Sequence, residues 1–129
     1  VILNFLFLVQ AAFAGAVAFA MFFATHTFTW LATGHVLGSG VTADVAIVYA
    51  REAALGALLV ALVCATALAS GRRSVRWPSL LALLAICVAS AATGLLLVPF
   101  EPMKSVVVGF HGLLAVAYVL VTIFLPHEI

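Results

Sequence analysis

The sequence predicts an all-α integral membrane protein, four transmembrane helices in an up-down antiparallel bundle. Three observations carry this reading. The 129 residues are 67% hydrophobic and only 7% charged, and a mean hydropathy of +1.39 is more apolar surface than a soluble domain of this size can bury. The apolar residues fall into four runs, each near the ~20 residues that a helix needs to cross the hydrocarbon layer. The connections between the runs are short and polar, which favours antiparallel neighbours within a single domain over residues 1–129.

The first span is expected over about 2–30. Ala12, Ala16 and Ala20 recur on one face as a close-packing stripe, and Asn4 and Gln10 interrupt the apolar run. Its far end passes into Thr25, His26, Thr27 and Trp30, a polar and aromatic mixture suited to the membrane interface. Gly34, Gly38 and Gly40 then break helical continuity around His35. The chain has no Met at position 1 and starts directly in apolar sequence, so the expectation is a missing upstream stretch or a processed end.

The second span is expected over 43–70, with Asp44 in a first turn where the helix dipole favours an acid. Its purely apolar part begins only after Arg51 and Glu52. A basic turn follows, Gly71-Arg72-Arg73-Ser74-Val75-Arg76, and Pro78 reads as the opening residue of a third span over 78–98. Pro99 and Pro102 bracket the last connection, and a fourth span is expected over 103–125.

Orientation follows from the basic residues. Arg72, Arg73 and Arg76 share one short connection with no acid beside them, so the positive-inside rule places that turn and both termini in the cytoplasm of a multi-pass protein of the inner (plasma) membrane. His26, His35, Asp44, Arg51, Glu52, Glu101, Lys104 and His111 then gather towards the opposite face.

Among these residues His111 stands out. It lies about two turns inside the fourth span, deeper than an interfacial anchor needs, and an ionisable side chain at such a depth points to a site. Gly109 and Gly112 flank it, small enough to admit a flat ligand or another backbone. Haem b held between helices needs one or two histidines, small neighbours and a polar end for its propionates, which His26 and His111 as iron ligands, with Gly109, Gly112 and Arg51, would supply. A quinol site would instead use His111 as proton acceptor beside Glu52 or Asp44. The expected cofactor-binding set is therefore His26, His111, Gly109, Gly112, Arg51 and Glu52, with His26 and His111 as the metal-ligating pair.

The functional expectation is a small electron-transfer type subunit that binds haem b or quinol (quinone) in an extracytoplasmic pocket. The alternative is an accessory subunit that stabilises a larger membrane complex and has no site of its own. Lipid is the expected surrounding, with other membrane subunits or further copies of the chain as partners. A net charge of +1 without a long basic run gives no basis for nucleic-acid binding. Hydrolase and nucleotide motifs are absent from the sequence. Cys64 and Cys87, each within an apolar run, read as buried small hydrophobes.

Overall fold

The computed structural model describes residues 1–33, 41–98 and 101–129. Among the described residues five helices follow one another: α1 (Ile2–Phe23), α2 (Thr25–Thr33), α3 (Val41–Ser70), α4 (Arg73–Leu97) and α5 (Glu101–Phe124), with a short 3-10 turn at Pro126–Glu128. Four of them, α1, α3, α4 and α5, are long and apolar enough to cross a membrane. They form a ring in which α1 packs on α3, α3 on α4, α4 on α5 and α5 on α1. The fold is therefore an all-α membrane bundle.

The helix boundaries depart from the hydropathy reading in informative ways. The span expected over 2–30 is divided at Ala24, whose φ of −118° and ψ of 44° leave the helical region. Just beyond it the Thr25 hydroxyl donates to the Met21 carbonyl at 2.7 Å, with the Phe22 carbonyl at 3.3 Å. Such back-bonding competes with the backbone ladder and bends or interrupts helices. The helix resumes as α2, where the Phe28 N–H bonds the Ala24 carbonyl at 2.9 Å.

Pro78 does not open the third span. Gly71 adopts a φ of +60°, a conformation that L side chains rarely take, and turns the chain. Arg72 is extended and its carbonyl accepts the N–H groups of Val75 at 3.0 Å and Arg76 at 2.9 Å, so the helix is already under way at Arg73. Pro78 sits within α4 and costs the ladder one N–H. The other spans begin slightly earlier than expected, at Val41 in place of 43 and Glu101 in place of 103, and the last two end at Leu97 and Phe124.

The core is concentrated in one half of the bundle. Leu3 and Phe7 of α1, Cys64 and Ala67 of α3, Leu80, Leu83 and Cys87 of α4, and Leu114, Tyr118 and Val121 of α5 form one buried cluster. These are the start of α1, the end of α3, the start of α4 and the end of α5, as an up-down ring requires. The same end is tied by polar contacts. Arg76 donates to Asn4 Oδ1 at 2.8 Å and lies over the Phe7 ring. Glu128 accepts the Leu3 N–H at 3.3 Å.

Candidate functional site

A polar layer closes the packed half. Gln10, fully buried on α1, accepts the Tyr118 hydroxyl of α5 at 2.5 Å through Oε1, and its Nε2 faces Cys87 Sγ of α4 at 3.4 Å. Cys64 is equally buried on α3. All four long helices thus contribute a side chain to the buried interior here. Burying polar groups in a membrane bundle is costly unless they find partners across helices, and this layer supplies them for Gln10.

Beyond that layer the bundle is hollow. A cavity of about 320 Å³ lies between the α1/α3 pair and the α4/α5 pair, lined among others by Gln10, Phe13, Gly56, Ile86, Ser90 and His111. An open cleft of about 530 Å³ continues from it towards Met21, Thr93 and Val107 and shares Ile86, Ser90 and His111 with it. The composition of the helices explains the space. Where the packed half presents Leu, Phe and Tyr, this half presents Ala14, Ala53, Gly56, Ala57 and Ser90. A methyl group added at Gly56 would meet nothing within 4 Å.

His111 is held at the wall between the cavity and the cleft. Its Nδ1 lies 2.9 Å from the Val107 carbonyl, one turn back on α5. A carbonyl can only accept, so Nδ1 carries the proton and a neutral ring leaves Nε2 as an acceptor. Phe13 of α1 packs edge-on against the imidazole at 5.7 Å, and Phe110, on the same side, does so at 5.3 Å. Phe13 and Phe110 are themselves stacked at 3.9 Å, which brings α1 and α5 together at this level. The carbonyl thereby sets the tautomer of the ring.

The remaining expected site residues take other places. His26 is exposed on α2, beyond the break at Ala24, and lines neither the cavity nor the cleft that His111 lines. Arg51 and Glu52 are exposed on α3, with the Arg51 guanidinium 5.6 Å from the centre of the Phe22 ring. Gly109 is exposed and Gly112 half-buried, and a methyl group at either would meet nothing within 4 Å. Close helix approach occurs instead at Gly94 of α4, where an added Cβ would stand 2.8 Å from Val107 Cγ1. His35 lies outside the described residues. Among the described residues, no three His, Cys, Asp or Glu side chains converge as a protein-built metal site would require.

Gln10, Tyr118 and Ser90 are the additions that sequence reading missed as a group. A signal existed: Gln10 and Ser90 are polar interruptions of otherwise apolar spans, at levels that an antiparallel ring can bring together. Comparison with protein-family models, with curated protein sequences and with solved structures gave no match.

Proposed function

We propose that the chain is a small multi-pass subunit of the plasma membrane whose hollow half binds a quinol or quinone ring. The observation that carries the reading is His111, which lines a largely apolar cavity while the Val107 carbonyl holds its Nδ1, leaving Nε2 as the acceptor of a neutral ring. A quinol hydroxyl donates to such a nitrogen, the flat ring suits the slot that small residues leave, and an isoprenoid tail passes between helices into lipid. Ser90 on α4 and Gln10 on α1 are the other polar side chains of the cavity. Haem b, the other expected cofactor, is less well served. His26 lines neither the cavity nor the cleft, so iron would rest on His111 alone.

The basic turn around Arg72, Arg73 and Arg76 supports a cytoplasmic location for the packed half, which puts the cavity in the extracytoplasmic half. The test is solvent extraction and an oxidised-minus-reduced spectrum of protein purified in mild detergent. Bound quinone that is lost in His111→Leu is the expected result. A Soret band lost in the same variant would place haem b in the cavity instead. Colourless, quinone-free protein that is obtained only with partner chains would favour the accessory-subunit reading.

A further inference from the structure

A separate groove lies on the outside of the bundle between α1 and α3, with a volume of about 380 Å³. Ala18 and Ala54, both buried, form its floor together with Gly15, while the exposed Phe19, Leu55 and Leu58 form its rim. All the lining residues are apolar. Phe22 and Phe23 close one end, with ring contacts of Phe23 to Phe19 at 4.9 Å and to Phe22 at 5.1 Å.

At that end stands a cation. The Arg51 guanidinium lies 5.6 Å from the Phe22 ring centre. Arg51 precedes Ala54, Leu55 and Leu58 at helical spacing, so the charge and the groove share one face of α3. Among the described residues no carboxylate lies within ion-pair distance of Arg51, whereas Lys104, the other cation of this half, is engaged by Glu101 at 3.1 Å. Glu52, next in sequence, is turned by about 100° around the helix. The arrangement is an apolar slot open to the bilayer that ends at an unpaired guanidinium, at the level where α3 changes from charged to purely apolar sequence.

We infer that this groove binds an anionic phospholipid, with an acyl chain between Phe19 and Leu58 and the phosphate on Arg51. The apolar rim selects the chain and the guanidinium selects the head group, since arginine matches phosphate oxygens in a bidentate manner. A zwitterionic lipid places the same chain in the slot but offers no net charge to the cation. One basic residue near the surface is worth about a fivefold preference for an anionic lipid.

Native mass spectrometry of the full chain with equal phosphatidylglycerol and phosphatidylcholine tests this. The expected result is about fivefold greater retention of phosphatidylglycerol, preserved in Arg73→Gln, reduced in Arg51→Lys, which keeps the charge but not the bidentate fork, and abolished in Arg51→Gln. Gly15→Leu fills the floor at a position where an added Cβ meets nothing within 4 Å, and should reduce retention of both lipids while the protein stays folded. Equal retention of the two lipids by the unaltered protein overturns the inference. So does a preference that survives Arg51→Gln but falls in Arg73→Gln, which would assign it to the basic turn. Neither result bears on His111, which does not line this groove.

Discussion

Tyr118 of α5 donates its hydroxyl hydrogen bond to Gln10 of α1 at 2.5 Å, and both side chains are buried. The pair marks where the bundle changes character. On one side of it Leu3, Phe7, Leu80 and Val121 fill the interior, and on the other His111 borders open space. A buried amide with two partners can occupy one register only, so the pair fixes α1 against α5 and α4 at the boundary between packed and hollow halves.

Removing the hydroxyl leaves Gln10 Oε1 without that partner in an apolar interior. Tyr118→Phe should therefore destabilise the bundle by about 1 kcal/mol, within the range seen for interhelical bonds in membranes. Gln10→Leu removes the acceptor as well. In reversible unfolding in mixed micelles, the double variant should cost less than the sum of the two single ones. Strict additivity would show that the contact carries no coupling.

At Gly94, α4 and α5 approach closely. A Cβ there would lie 2.8 Å from Val107 Cγ1 and 3.1 Å from Val108 Cγ2. Gly94→Ala should cost about 1–3 kcal/mol through overpacking, and Val107→Ala in the same chain should restore part of it. Because the overpacking pushes on Val107, whose backbone carbonyl holds the His111 ring, Gly94→Ala alone should also weaken retention of the proposed quinone, and Val107→Ala, which keeps that carbonyl, should restore it in part. The measurements are thermal stability in detergent and bound quinone per chain.

The four spans were legible because length and hydropathy alone decide what can cross a bilayer. The break at Ala24 was not, since an alanine carries no marker of non-helical φ and ψ. Beside the break the buried Thr25 hydroxyl bonds the carbonyls of Met21 and Phe22, but Thr66 and Thr122 make the same back-bond within unbroken helices, so a threonine in the sequence does not announce a break. Pro78 is the residue type that favours an opening position, but Gly71 and Arg72 have already turned the chain and started the helix at Arg73, so Pro78 falls in its second turn at the cost of one N–H. His111 was legible as an ionisable group at unusual depth. Its surroundings were not, because the hollow arises from small residues on α1, α3 and α4, and the glycines that matter for packing and space are Gly94 and Gly56 more than the neighbouring Gly109 and Gly112.

Orientation rests on the basic turn, and the structure simplifies its test. Cys64 and Cys87 are fully buried, so an impermeant thiol reagent should not reach them and they can stay in place. Ser74→Cys should be labelled only from the cytoplasmic side and Glu101→Cys only from the opposite side. Labelling of Ser74→Cys from outside would move the hollow half, and the site with it, to the cytoplasm.

Filling the hollow separates its structural cost from its use. Gly56 lies on α3 where a methyl group would meet nothing within 4 Å, so Gly56→Ala should be neutral or stabilise by about 0.5–1 kcal/mol through helix propensity. Gly56→Leu extends further into the cavity that His111 and Ser90 line, adding apolar contact where there is space. If the cavity exists to hold a ring, Gly56→Leu should match or exceed the unaltered protein in thermal stability and yet lose bound quinone as completely as His111→Leu does. A stabilised Gly56→Leu that keeps its quinone would place the ligand elsewhere on the chain. Space that costs the bundle stability and is retained is the physical signature of a binding site, and this pair of measurements reads the cost and the use in the same variant.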